Sequence, residues 1–255
     1  RSTHFPYTTL FRSYVELSEV TGLVSIIGSD GNDSVIIDSL TGSLIVNATG
    51  GSAFISISSA DGFVSIIGDL SGNDQVYIDS IGTNGNFDSL NLGDGNDSII
   101  ISVSSGDILV NGDSGSDLVS LGTVNGNASI LGGSDNDSLY VNSGSGSIFV
   151  DGGSGNDIVS IGAVTGFTSI AGGDSDSISV IGATGSIIID GDSAIVSVST
   201  GASNSFVSLS NIDNVANVAG GNGADSIIVN GGSGSIFVDG GAGADLISLG
   251  TVEGF

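Results

Sequence analysis

The sequence predicts an all-β chain wound as a parallel β-solenoid, a β-roll or β-helix of about twelve coils with two short strands in each. Two observations predict it. Nine times a Gly/Asx-rich turn closes on an aspartate and the chain then becomes an apolar strand, at Asp33, Asp74, Asp97, Asp117, Asp137, Asp157, Asp176, Asp225 and Asp245. Through the middle of the chain those aspartates step by 20, 20, 20 and 19 residues, from Asp97 to Asp176. A constant period with one turn motif per period marks coils stacked one on the next.

Taken in order, residues 1–13 (RSTHFPYTTLFRS) stand apart. They hold both arginines, Arg1 and Arg12, the single histidine His4 and the single proline Pro6. The segment resembles a translated sequencing adapter, PYTTLFRS being its most telling part, and is set aside from the fold as a processing scar. From Tyr14 onward the chain has no Lys, Arg, His, Pro, Cys, Met or Trp. Residues 14–255 are read as one solenoid domain and as an internal fragment of a longer array.

The coil opening at Asp157 shows the plan: Ile158-Val159-Ser160-Ile161, Gly162, Phe167-Thr168-Ser169-Ile170, then Gly172-Gly173. Strand side chains alternate between the two faces. Two and four residues after each anchoring aspartate come Val35/Ile37, Val76/Ile78, Ile99/Ile101, Val119/Leu121 and Leu139/Val141. The series continues as Val159/Ile161, Ile178/Val180, Ile227/Val229 and Ile247/Leu249. All are Val, Ile or Leu, which stack well in a sheet. A helix would need a 3.6-residue period and would lose about 1 kcal/mol at each interior glycine relative to Ala.

A second order lies at twice the coil: residues 106–117 align with 146–157, and 232–255 repeat 144–167. Between about Asp190 and Ala219 the motif is lost, and a distorted or bulged coil is expected there. At ~4.8 Å per strand the array would be a rod roughly 55–60 Å long. Outward positions alternate between bulky residues (Ile36, Ile45, Ile100, Leu109, Tyr140, Phe149, Ile188, Ile228, Phe237) and serines such as Ser120, Ser129, Ser160, Ser169 and Ser248. The bulky rungs offer a basis for lateral packing on a second chain or another domain.

The charge is lopsided: 28 acidic residues face 2 basic ones, a formal net charge of −26. Nothing here could neutralise phosphates, which argues against nucleic acid as a partner. No apolar run approaches the ~18 residues of a membrane-spanning helix. The missing cysteines fit a secreted bacterial protein without requiring one. Carboxylates stacked ~5 Å apart repel by ~0.8 kcal/mol per pair in water and ~3 at an effective dielectric of 20. No salt bridge within residues 14–255 can relieve that repulsion, whereas a divalent cation can.

The turns read Gly28-Ser-Asp30-Gly-Asn-Asp33, Gly93-Asp94-Gly-Asn-Asp97, Gly112-Asp113-Ser-Gly-Ser-Asp117 and Gly132-Gly-Ser-Asp135-Asn-Asp137. They continue as Gly152-Gly153-Ser-Gly155-Asn-Asp157, Gly172-Gly-Asp174-Ser-Asp176, Gly220-Gly-Asn-Gly-Ala-Asp225 and Gly240-Gly-Ala-Gly-Ala-Asp245. Here the chain resembles the repeats-in-toxin (RTX, haemolysin-type) calcium-binding family, whose unit is G-G-x-G-x-D-x-U-x with U apolar. Gly152 to Ser160 matches at every place, with Val159 as U. The resemblance implies several Ca²⁺ ions along one edge. The nine aspartates would hold them with Asp30, Asp94, Asp113, Asp135 and Asp174 and with turn carbonyls such as those of Gly152, Gly153 and Gly155. Glycines permit the positive-φ turn that aims carbonyls inward, and Ca²⁺ takes six to eight hard oxygen ligands.

The chain departs from that family in carrying the motif once per ~20 residues rather than every 9. The opposite turns, such as Gly122–Asn127 and Gly162–Gly166, lack the aspartate, and alanines precede Asp225 and Asp245. In spacing it is also similar to the ice-binding RTX-type solenoid of bacterial adhesins, as at Ser71-Gly72-Asn73-Asp74, but the ice-organising threonine of that motif is absent.

The leading expectation is a non-enzymatic, calcium-stabilised solenoid segment of a large secreted or cell-surface bacterial protein. It would serve as an adhesin stalk, spacer, or surface-layer or matrix component. The alternatives are a metal-free solenoid whose Asp and Asn only cap turns, an ice- or glycan-binding face, and a β-helix polysaccharide-active enzyme. The enzyme is disfavoured because residues 14–255 offer no Lys, Arg or His for proton transfer or enolate stabilisation.

Overall fold

The computed structural model describes residues 5–8, 14–28, 31–48, 50–68, 72–82, 87–251 and 253. The fold is all-β: a parallel β-solenoid of about eleven turns, with coils of ~20 residues and two short strands in each. Two compact units divide it, Arg1–Ser129 and Ile130–Phe255.

In the first unit, sheet A contains β1 (Phe5–Thr8), β3 (Val24–Ile27), β5 (Leu44–Asn47), β7 (Val64–Ile67), β9 (Phe87–Asn91) and β11 (Asp107–Ser114). Sheet B contains β2 (Tyr14–Leu17), β4 (Ser34–Ile37), β6 (Phe54–Ile57), β8 (Gln75–Ile81), β10 (Ser98–Ser104) and β12 (Leu118–Val124). Successive strands fall in alternate sheets, and each pairs in parallel with the strand one coil on. Leu44 thus faces Val64, and Ser98 faces Leu118. One coil of this unit is longer, since Ser65 faces Ser89. Within the segment set aside as a scar, Phe5–Thr8 pairs in parallel with Val24–Ile27; its other residues lie outside the described ones.

The second unit begins within β13 (Ala128–Ser134) and continues sheet A with β15 (Ile148–Ser154), β17 (Thr168–Gly173), β19 (Ser186–Asp190), β21 (Phe206–Ser210), β23 (Ser226–Asn230) and β25 (Leu246–Leu249). Its sheet B strands are β14 (Ser138–Gly144), β16 (Ile158–Val164), β18 (Ser177–Ile181), β20 (Ile195–Ser199), β22 (Val215–Ala219) and β24 (Ser235–Asp239).

The core is a stack of Val, Ile and Leu from both sheets. Of the inward pairs read from the sequence, all are buried except Ile247 and Leu249 in β25, which are 43% and 57% exposed. In the first unit a corner row of Val20, Leu40, Ala60 and Ile81, bridged in parallel, closes the coil between sheet B and sheet A.

The structure corrects one expectation about the motif: it does not keep to one edge. Within the second unit, Asp137, Asp157 and Asp176 each open a sheet B strand, β14, β16 and β18, whereas Asp225 and Asp245 each open a sheet A strand, β23 and β25. The step from Asp176 to Asp225 is 49 residues, two and a half coils, so the motif changes edges. The stretch expected to be distorted holds its strands in register: Ser186–Asp190 faces Phe206–Ser210, and Val196–Ser199 faces Ala216–Ala219. What changes there is which edge carries the aspartate.

Candidate metal-binding turns

Each motif aspartate sits where its turn ends and its strand begins, and its side chain turns into the coil rather than out to solvent. Asp33, Asp74, Asp97, Asp117, Asp137, Asp157, Asp176 and Asp225 are all buried, none more than 6% exposed; Asp245 is half-buried. On Asp74, Asp97, Asp117, Asp157, Asp176, Asp225 and Asp245 the Oδ1 atom accepts a backbone N–H from the preceding coil in a ladder. Asp74 N–H donates to Asp97 at 2.7 Å, Asp97 N–H to Asp117 at 2.8 Å, and Ala53 N–H to Asp74 at 2.7 Å. In the second unit Asp137 N–H donates to Asp157 and Asp157 N–H to Asp176, both at 2.8 Å. On the other edge Ser205 N–H donates to Asp225 and Asp225 N–H to Asp245, at 2.8 and 3.0 Å.

A second ladder runs the opposite way, one residue earlier in the turn. There an asparagine Oδ1 accepts from the following coil: Ser116 N–H donates to Asn96 at 2.8 Å, Asn156 N–H to Asn136 at 2.7 Å, and Ala224 N–H to Asn204 at 2.8 Å. The Asn-Asp pair therefore ties each coil to both neighbours. That is a physical reason for the dipeptide, since turn N–H groups facing along the stack have no sheet partner and an unmet buried donor costs about 1–3 kcal/mol.

In four of these aspartates the other carboxylate oxygen has no such partner. Oδ2 of Asp97, Asp157, Asp176 and Asp225 is buried and meets no hydrogen-bond donor. It lies against the first glycine of its own turn: a Cβ on Gly152 would fall 2.6 Å from Asp157 Oδ2 and 3.2 Å from the Gly172 carbonyl oxygen. Gly172 stands likewise between Asp176 Oδ2 and the Gly191 carbonyl, each 3.2 Å away, and Gly220 between Asp225 Oδ2 and the Gly240 carbonyl. The coil of Asp97 differs in having fully buried Leu92 at that place. A carboxylate and a carbonyl oxygen thus both border the space that a Cβ would fill.

Electrostatics records the same tension. Desolvation pushes Asp97 up to about 7, against the lowering effect of the Asp74 N–H bond and with a further rise from the Asp74 charge. Asp157 rises to about 6, chiefly by desolvation, with Asp176, Asp174 and Asp151 adding repulsion. Asp176 is raised for the same reasons. A carboxylate that keeps a proton this far up the pH scale is one whose charge nothing nearby balances.

The remaining candidates lie elsewhere on the turns. Asp94, Asp113, Asp135 and Asp174 are exposed, and Asp30 lies outside the described residues. Asp113 and Asp135 have positive φ (78° and 77°), as Gly153 and Gly155 do (93° and 139°). Asp174 Oδ2 accepts Gly155 N–H at 3.2 Å. Among the described residues no three Asp, Glu, His or Cys side chains come together as a metal-binding group. A cation at these turns would therefore be held by one buried carboxylate oxygen together with turn carbonyls. All of those donors are hard oxygens, the kind Ca²⁺ takes.

Two features escaped the sequence reading. Asp88 occupies an inward position of β9, facing Ile108 of β11, and is 1% exposed. Its Oδ1 accepts Val64 N–H at 2.7 Å, and desolvation pushes it up to about 6. The signal was there in Phe87-Asp88-Ser89-Leu90, where strand alternation puts the aspartate in phase with Leu90. The second feature is the coil of Thr200 and Ser205, in which Gly and Asp of the motif are replaced together. Ser205 stands at the aspartate's place, and the Thr200 hydroxyl donates to the Gly220 carbonyl. No family model matches this chain, and comparison with curated proteins and with solved structures gives no match.

Proposed function

We propose that this chain is a non-enzymatic, calcium-stabilised β-solenoid segment of a secreted or cell-surface protein, acting as a spacer, stalk or matrix component. The observation that carries the proposal is the set of buried Oδ2 atoms on Asp97, Asp157, Asp176 and Asp225, which meet no donor in a chain without basic residues after Arg12. Ca²⁺ would be held by those oxygens and by neighbouring carbonyls such as those of Gly172, Gly191 and Gly240. Its chemistry would be charge neutralisation, and the binding energy would add to folding stability. The absence of Lys, Arg and His from residues 14–255 supports a structural over a catalytic role. The missing cysteines fit the secreted or surface location. The test is isothermal titration of the chelator-treated chain with CaCl₂ and, separately, MgCl₂: saturable binding of calcium alone supports the reading, and no heat with either ion removes it.

One observation favours a second reading, a metal-free solenoid. The coil of Thr200 and Ser205 has hydroxyls in place of a carboxylate, Thr200 donating to the Gly220 carbonyl and Ser205 to the Ser203 carbonyl, and the Oδ1 ladder needs no ion. On that reading the aspartates are turn caps alone, and the chain folds fully in chelator.

A further inference from the structure

The outer face of sheet B in the second unit carries a feature the aspartate turns do not explain. Residue for residue, Tyr140 faces Ser160, Ser160 faces Ser179, Ser179 faces Ser197, Ser197 faces Asn217, and Asn217 faces Phe237. Four small polar rungs therefore lie in one column between two aromatic ones, about 24 Å end to end at ~4.8 Å per strand. On sheet A of the same unit bulky and small outward residues alternate from coil to coil, the matching column reading Phe149, Ser169, Ile188, Ser208, Ile228, Ser248. The sheet B column breaks that alternation.

Its flanks hold exposed isoleucines among small polar residues: Ile158 and Ile195, 46% and 48% exposed, stand on either side of Ser177, and Ile181, 61% exposed, stands beside Ser199. At the Phe237 end the face forms a shallow, open cleft of about 510 Å³, with Ser197, Ser199, Asn217, Phe237 and Asp239 among its lining residues. That volume lies within the range of small-ligand sites, which pair apolar walls with a few placed polar groups. Phe237 is 63% exposed. Asp239, the carboxylate at the cleft, already accepts Gly241 N–H at 3.0 Å.

We propose that this column is a binding track for an uncharged, linear glycan. Serine hydroxyls and the Asn217 amide both donate and accept, as sugar hydroxyls require. The Phe237 and Tyr140 rings and the isoleucine flanks offer apolar surface to the C–H faces of sugar rings. The column itself carries no charge, so it has nothing to hold a cationic ligand. The net charge of −26 turns away polyanions.

The test is affinity electrophoresis of the whole chain, at saturating calcium so that the fold is formed whichever reading of the turns holds. The gels contain β-glucan, mannan, xylan or galactan, with alginate as the acidic comparison. Retardation by at least one neutral polysaccharide is expected, weakened tenfold or more in Phe237→Ala and in Ser179→Glu and unchanged in Phe149→Ala on sheet A. Far-UV circular dichroism confirms that each variant keeps its β signal. No retardation by any neutral polysaccharide, retardation by alginate alone, or equal retardation of Phe237→Ala and Ser179→Glu with the parent overturns the proposal.

Discussion

Replacing Asp157 by Asn separates the two jobs of the ladder carboxylates. Oδ1 of Asp157 caps Asp137 N–H at 2.8 Å, while Oδ2 is buried without a donor. Asn keeps the first oxygen and puts an uncharged N–H₂ where the second was, so the cap survives and the buried charge is gone. Raising the carboxyl from 3.8 to about 6 means that at pH 7 the ionised form destabilises the fold. At 1.36 kcal/mol per unit this is about 3 kcal/mol. In chelator at pH 7, Asp157→Asn is therefore expected to stabilise the chain by up to about 3 kcal/mol. Asp157→Ala relieves the same charge but strands the Asp137 N–H at about 1–3 kcal/mol, so it should gain far less. In calcium the order reverses, because the amide removes an anionic ligand. The assay is urea unfolding followed by circular dichroism, comparing the three chains in chelator and in calcium. If Asn and Ala destabilise equally in chelator, the buried carboxylate is not under the strain described and the reasoning fails.

Other expectations follow from single positions. The folded-state pKa of Asp88 is raised to about 6, so the native state binds its proton more tightly than the unfolded chain. Its effect on stability is nil below pH 4 and grows to about 3 kcal/mol of destabilisation as pH rises through 6. Asp88→Asn should remove that loss, visible as a smaller drop in urea midpoint between pH 4.5 and 7.5 than in the parent. Gly153 and Gly231 both have positive φ (93° and 79°), but a Cβ on Gly153 would collide with the Gly133 carbonyl, whereas one on Gly231 meets nothing within 4 Å. Gly231→Ala should cost only the backbone strain of about 1–2 kcal/mol, and Gly153→Ala clearly more; equal losses in urea unfolding would show that close approach between coils is not what that glycine serves.

The coil was legible because its signals are local and repeated. A 20-residue period fixes which strands pair, and alternation fixes which side chains enter the core, as at Val159/Ile161 and Ile178/Val180. The edge change was written in the 49-residue gap between Asp176 and Asp225, yet a motif search reads turns without counting half-coils. Inward burial of the aspartates was not legible: the same Gly-Asn-Asp suits a carboxylate facing solvent or one capping a neighbouring coil, and only the stacked backbone decides. Asp88 was hidden for a related reason, since its capping donor, Val64 N–H, lies 24 residues earlier in the chain. Thr200 and Ser205 resemble no motif, and their equivalence to Gly and Asp emerges only once Ser205 N–H is seen donating to Asp225.

The most direct test of the central claim is far-UV circular dichroism of the chain during a calcium titration from chelator to ~10 mM, the affinity range of extracellular modules. The account predicts a cooperative gain of β signal with calcium and not with magnesium, as the buried Oδ2 atoms acquire their counter-charge. Full β structure in chelator, unchanged by calcium, would contradict it and leave the aspartates as caps between coils.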